Sequence, residues 1–438
     1  MTAEQIASVE PALRELLKKF EKCFEDRRTR GHWLKYLVGL LADVPRKSIE
    51  PIALAAGVPV RTLQEFLSQH HWDHRRAEET MQRLVADEYA SAGAIGVIDS
   101  CGHPKRGDQT PGVQRQWCGQ IGKVDNCVVG QHLLYTDNDG RNPFSCLVAS
   151  DLFLPQSWAA NRSRCRAAGI PDEIGYRPKW QIAVEQVERA IGQGLRFAWL
   201  VFDEEYGRVP AFWLALDRLG QRTMGEVPPD FNVWTKPPAW RSMRPEHASK
   251  EVQQLARHSP AFCEQPWRTV AVKATTRGLV KLKVKAVRVQ MVAEAHDHRR
   301  SASVPTDRRY WLLVTDNLAT GERKYWVSNA PAETAWEELL KVALSRWQVE
   351  KWFERAKQEA GFGAFEVRTY RSLIRHWLSS RVAMLFLARE TRRLRGEKCG
   401  DHAGAGGRRG QQRGLENLAT VAERLERSDR ELRVSSAA

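Results

Sequence analysis

Asp99 closes the apolar run AIGVI, and Asp203 closes the apolar run AWLVF. Each run reads as a strand, so both carboxylates are expected where the sheet meets solvent. A buried, unpaired Asp costs several kcal/mol, so an acid ending an apolar strand is either a cap or part of a site. The third acid lies in SRWQVEKWFERAKQEAGF, where Arg346, Glu350 and Lys357 follow at steps of four and seven. Those steps place them along one helical face. Carboxylate oxygens are hard donors suited to Mg²⁺. Two such ions roughly 3.5–4 Å apart can activate an oxygen nucleophile, stabilise a crowded anionic phosphorus and assist the leaving oxygen. That is the chemistry of phosphodiester cleavage or exchange. A strand-end cap or a salt-bridged helix face would explain each element singly, but the three together point to a site.

Positioning such acids takes a sheet and a packed helix, and the chain has the pattern for both. Residues 1–90 read as helical, with Leu13, Leu16, Leu17 and Phe20, then Leu34, Leu37, Leu40 and Leu41, at three- and four-residue spacing. Within them PIALAAGVPVRTLQEF has a helix-turn-helix rhythm: Ala53 is small where helices would cross, and Gly57 suits a tight turn. Arg61, Gln64 and Gln69 would face outward toward a DNA groove. From residue 91 to 228, apolar runs at Gly93–Ser100, Cys127–Tyr135, Phe144–Ala149 and Arg196–Phe202, with helical periodicity at Trp180–Ile191 and Val209–Leu219, imply a mixed α/β core. Residues 229–331 read as a β-rich insertion, led by the alternating KLKVKAVRVQMV; Pro228–Trp267 shows no clear periodicity. Residues 332–395 return to helix. The Gly/Arg-rich tail, 396–438, is expected to be disordered, with one possible amphipathic helix near Leu415–Leu432.

The 438 residues, 42% of them hydrophobic, suffice for a large core. Lys plus Arg number 68 against 53 Asp plus Glu, a formal charge of +15 that favours a polyanionic partner such as nucleic acid. No apolar run approaches the ~20 residues of a membrane span, and the acidic N-terminus lacks a signal-peptide layout. A cytoplasmic, nucleoid-associated protein is expected, with no membrane partner. The eight cysteines form no Cys-x-x-Cys pair, so free thiols are expected rather than a zinc site.

The blocks VIDSCGHPKRG, QWCGQIGKVDNCVVG, FDEEYGRVPAFWLALDRLGQ, RWQVEKWFERAKQEAGF and RTYRSLIRHWLSSRVAMLFL, in that order, resemble the DDE transposases of bacterial insertion sequences. The likeness is to the group with a Tyr-Arg-Glu-Lys signature, the insertion sequence 701 family within the insertion sequence four superfamily. It covers roughly residues 30 to 390. The resemblance implies an α/β fold with a ribonuclease-H-like mixed sheet and flanking helices, interrupted by an insertion between the second Asp and the Glu. It implies Mg²⁺ as cofactor, with Mn²⁺ able to substitute, and Asp99, Asp203 and Glu350 as catalytic metal ligands. Arg346, Lys357 and Lys105, the last in the Lys-x-Gly of the first block, would touch DNA beside Arg61 and Gln64. The implied reaction is hydrolysis at transposon ends, then attack of the freed 3′-hydroxyl on target DNA. The implied partners are double-stranded DNA, both terminal inverted repeats and target, with a homodimer acting on it. The alternative is a catalytically inactive, transposase-derived DNA-binding protein or repressor.

This sequence departs from the family pattern in two places. Ala343 stands where the signature Tyr is expected, and Ser100-Cys101 follow the first Asp where Asp-Thr is common. Glu354 is a rival to Glu350, which is preferred because it keeps the spacing to both cations. Glu204 and Glu205 adjoin Asp203, and Glu204 should point away from it if the strand continues. His103 is either a phosphate contact or a loop histidine. Trp347 and Trp352 either stack on a base or pack in the core, and with sixteen Trp in the chain the core is preferred.

Overall fold

The computed structural model describes residues 9–139, 143–241, 244–275, 278–293 and 304–398. The tail from 399 onward, with its possible helix, lies outside them.

Among the described residues five helices come first: α1 (Val9–Lys18), α2 (Arg27–Leu41), α3 (Ile49–Ala55), α4 (Val60–Ser68) and α5 (His74–Glu88). Acidic N-caps start two of them, Asp26 accepting from Thr29 N at 2.7 Å and Asp73 from Arg76 N at 2.9 Å. Gly57, at φ +60°, turns the chain from α3 into α4, and Val58 N reaches back to Ala53 O at 3.0 Å. Helix α2 meets α3 at Gly39, where a Cβ would lie 2.2 Å from Ile52 Cγ2. Only glycine permits that approach.

The core sheet is built from β1 (Ile95–Pro104), β2 (Gln114–Cys118), β3 (Lys123–Thr136), β4 (Ser145–Leu152), β5 (Trp199–Phe202) and β6 (Thr223–Val227). Strand β3 pairs antiparallel with β1, β2 and β4. Helix α6 (Lys179–Gly192) then carries the chain across, so β5 lies parallel to β1 and β6 parallel to β5. Two details differ from expectation. Strand β1 does not stop at Asp99: its pairing with β3 runs from Ile95↔Thr136 to Pro104↔Cys127, and that long partner carries it onward. Strand β2 has no apolar run to announce it and is held by its ladder to β3.

After helix α7 (Pro210–Arg218) comes the inserted segment, with β7 (Asn232–Trp234), β8 (Arg268–Thr275), β9 (Gly278–Ala293), β10 (Tyr310–Asn317) and β11 (Arg323–Ser328). Its unpatterned first third holds two short helices, Val252–His258 and Pro260–Cys263. The insertion is not a separate sheet. Strand β11 pairs antiparallel with β6, Val327 opposite Gly225, and fuses both parts into one 13-stranded mixed sheet.

Helix α8 (Trp336–Ala343), a 3-10 turn (Leu344–Arg346), helix α9 (Trp347–Glu359) and the 29-residue α10 (Tyr370–Lys398) complete the described chain. Helix α10 packs on β4 and on the N-terminal helices together. Trp33 Nε1 donates to Ser379 Oγ at 3.0 Å, and Tyr36 Oη lies 2.7 Å from His376 Nδ1. Arg375 donates to the carbonyls of Phe66, Leu67 and Trp72 at 3.2, 3.1 and 2.9 Å. One hydrophobic core therefore runs from the first helices through the sheet. None of the described helices is long and apolar enough to cross a membrane.

Arg381 is fully buried on α10 and pairs with Glu78 of α5 at 3.3 Å. Glu78→Ala strands that cation, and the expected loss is about 3–5 kcal/mol of stability. Denaturant unfolding measures it. A loss below about 0.5 kcal/mol would show that Arg381 does not depend on this partner.

Candidate active site

Ile98 and Phe202 face each other in the parallel ladder of β1 and β5, so Asp99 and Asp203, each one residue on, leave adjacent strands side by side. Neighbouring strands are about 4.8 Å apart. Here the chain ceases to be symmetric: β1 continues, whereas Asp203 caps the short helix Glu204–Gly207, its Oδ1 accepting from Glu205 N at 3.0 Å. The Asp99 side chain is 13% exposed and accepts from Ser100 N at 2.7 Å.

Helix α9 supplies the third carboxylate. Arg346, at its N-terminal boundary, donates to Glu350 Oε1 at 2.7 Å and to Asp99 Oδ2 at 3.4 Å. Its guanidinium thus joins an acid of the sheet to an acid of the helix. Burial raises the Asp99 pKa to about 7, the charge of Asp203 adds to the rise, and Arg346 opposes it. Asp203 is raised too, by burial first and then by Glu205.

Among the described residues no three His, Cys, Asp or Glu side chains stand as a ready-made metal-binding group. Glu350 is 59% exposed and turned to Arg346. The donor set still suits a hard divalent cation in kind: it is all carboxylate oxygen, and the two aspartates hold more negative charge than Arg346 offsets.

A second cluster flanks the aspartates and escaped sequence reasoning. Lys179, at the start of α6, lies 2.6 Å from Glu205 Oε1 and donates to Ser100 Oγ at 3.3 Å, while Ser100 Oγ donates to Glu205 Oε2 at 3.3 Å. The expected direction of Glu204, away from Asp203, held only for a continuing strand. The strand ends at Phe202, and the helical turn swings Glu205 toward Ser100. Nothing in the sequence ties Lys179 to residues so distant.

The other expected contacts are spread out. Lys357, partly buried two turns beyond Glu350, acts on Cys101 and His103 and sits beside Gly363. Lys105 is not a free phosphate contact: its ammonium donates to Gly363 O at 3.2 Å and Phe365 O at 2.6 Å and lies 3.4 Å from the Phe365 ring centre. Burial lowers its pKa to about 8. Arg61, its side chain 83% exposed and paired with Glu65, shares the outer side of α4 with Gln64. No contact among the described residues joins that helix face to the acids. His103 is 1% exposed inside a box of Phe362, Phe365 and Trp377, out of reach of a phosphate. Trp352 is core, whereas Trp347 carries the Lys351 ammonium 3.9 Å over its ring. Ala343 is buried at the end of α8, and Glu354 is exposed outside the acid cluster. Six of the seven described cysteines are buried and all seven are free.

Comparison with known proteins gives the family. The chain belongs to the DDE superfamily endonuclease family, whose model matches residues 19–291, a span that includes Asp99 and Asp203. Over 195 residues it is 29% identical to the "Probable transposase for insertion sequence element IS701" of Microchaete diplosiphon, covering 44% of this chain and 47% of that one. The match thus spans about half the length of that relative. A structure of the piggyBac transposase synaptic complex with hairpin DNA aligns with 98% of this chain and 80% of its own, at 9% identity and a TM-score of 0.46.

Proposed function

We propose that this protein is an active transposase of the bacterial insertion-sequence type, cutting double-stranded DNA at transposon ends and joining the freed 3′-hydroxyl to target DNA. The observation that carries this reading is the meeting of Asp99 and Asp203 on adjacent strands with Arg346 and Glu350 of α9. Membership in the Tyr-Arg-Glu-Lys group is supported by the order Arg346, Glu350, Lys357 along one helix. A ribonuclease-H-like core is supported by the strand order β4-β3-β1-β5-β6, three antiparallel strands followed by two parallel ones.

Asp99, Asp203 and Glu350 are the residues that would hold Mg²⁺, or Mn²⁺ in its place. When bound, that ion activates the attacking oxygen and neutralises charge at phosphorus. The chain's own part is to hold the carboxylates rigidly. The Lys179–Glu205–Ser100 cluster fixes the strand ends, and Asp203 is oriented by the helix it caps. Arg346 steadies Asp99 and Glu350 and offers a forked donor to a phosphate, with Lys357 further along the helix. The five-part division at 90, 228, 331 and 395, a homodimer on paired DNA ends and a cytoplasmic, nucleoid-associated location complete the reading.

The test is incubation of the purified protein and Mg²⁺ with a duplex carrying the inverted repeats that flank its gene. A cut end with a 3′-hydroxyl and a joined product are expected. Neither product, with Mg²⁺ or with Mn²⁺, would overturn the reading. For the N-terminal helices, Arg61→Glu with Gln64→Ala is expected to weaken binding of that duplex at least about thirtyfold, about one to three kcal/mol for each of the two lost contacts. Fluorescence anisotropy reads this directly, and unchanged affinity would leave α4 a purely structural element.

A further inference from the structure

A cleft of about 760 Å³ opens between the end of β1 with the loop after it and the 363–368 loop that joins α9 to α10. Its charged lining is Arg46, Lys105, Arg106 and Arg368 against Asp108 and Glu366. These four cations are not equivalent. Lys105 is spent on backbone carbonyls, and Arg46 is ion-paired with Glu366. Arg106 and Arg368, one on each wall, are exposed and have no ion-pair partner among the described residues. Asp108 accepts from Gln109 and keeps its charge, so the lining holds four positive side chains against two negative ones.

The cleft is tied to the acid site on both walls. From Asp99 along β1 to Pro104 and on to Lys105 is six steps of about 3.3 Å, or roughly 20 Å. On the other wall α9 carries Arg346, Glu350 and Lys357, and Lys357 Cγ lies 3.7 Å from the position a Cβ would take at Gly363, on the cleft's rim. Lys357 therefore stands between the carboxylates and the cleft. Phosphates in one DNA strand repeat about every 3.4 Å, so 20 Å corresponds to about six nucleotides.

Resting on the DNA-cutting reading above, we propose that this cleft is a clamp for the DNA backbone, in which Arg106 and Arg368 grip phosphates about six nucleotides from the bond that is cut. A free nucleotide fits it poorly. The ring of Phe365 is already covered by the Lys105 ammonium, so no aromatic face in the cleft is left for a base to stack on. What remains is charge on opposing walls, which suits a continuous phosphate chain.

The experiment compares wild type with the double variant Arg106→Glu, Arg368→Glu, measuring duplex binding by anisotropy over a salt series. The milder pair Arg106→Gln, Arg368→Gln and a charge-matched control outside the cleft, Arg218→Glu with Arg257→Glu, are measured beside them. The slope of log affinity against log salt is expected to fall by about two in the cleft variants, with binding at low salt at least about tenfold weaker. On a duplex cut back to about four base pairs beyond the scissile position on the cleft side, wild type and variant should bind alike. An unchanged slope, an equal fall in the control, or a defect that persists on the shortened duplex would each overturn the clamp while leaving the DNA-cutting reading intact. A wild-type protein that binds no duplex at any salt would overturn both.

Discussion

Asp99→Asn and Asp203→Asn, made singly, are expected to lower metal-dependent DNA cleavage by at least about 10³-fold. The exchange keeps volume and hydrogen-bonding shape while removing the charge that would hold a divalent ion. The loss therefore reports chemistry rather than packing. Each aspartate follows directly on Ile98↔Phe202, the last shared rung of β1 and β5, so the parallel ladder holds the backbone just before it whatever its side chain. Glu350→Gln should match them in cleavage, whereas Glu354→Gln should cleave like wild type, since Glu354 stands outside the cluster. A gel assay of end cleavage in Mg²⁺ gives the rates, with circular dichroism confirming the fold. Residual cleavage within about tenfold of wild type for either Asp variant would remove that residue from the site.

The same aspartates should make the protein less stable as pH rises. Asp99 has a folded-state pKa of about 7 against an ordinary value of 3.8. Between those values the folded chain holds more protons than the unfolded chain, so stability falls as pH rises through the window and levels off above it. Asp203, also raised, acts in the same direction. Asn at position 99 does not titrate. Asp99→Asn should therefore flatten the curve and exceed wild type at pH 8 by a few kcal/mol at most. Melting midpoints at pH 4 and pH 8 test this in metal-free protein. Added Mg²⁺ should recover part of the difference in wild type and none of it in the variant. A variant that tracks wild type across the window would mean that Asp99 is not held against its charge. The most damaging change to cleavage is thus expected to stabilise the metal-free fold, as in other sites that store repulsion for function.

Much of this was legible before folding. The acids that close AIGVI and AWLVF were visible because a continuous apolar run reads as a strand covered on both faces, and a charge marks where that burial ends. The helix spacing of Arg346 and Glu350 survives as a real contact. The α3–α4 turn was marked by Gly57, since few other residues adopt its backbone geometry. Other features were not legible. Lys105 read as a free cation because its partners, the carbonyls of Gly363 and Phe365, carry no sequence signal. Lys357 shares a helix with Glu350 but faces Cys101 and His103. The insertion read as β-rich, but no sequence signal told that β11 completes a ladder with β6.

The sequence by itself determined which stretches become strands and helices, where the apolar faces lie and which acids end them, because those properties depend on neighbours a few residues away. Only the tertiary structure decided that β1 outruns Asp99, that Lys179 and Glu205 close a second cluster beside it, and that Arg346 bridges sheet and helix. Those contacts depend on register and on the packing of distant segments. Periodicity along the chain reports how deeply a residue is buried, but not which residue it is buried against.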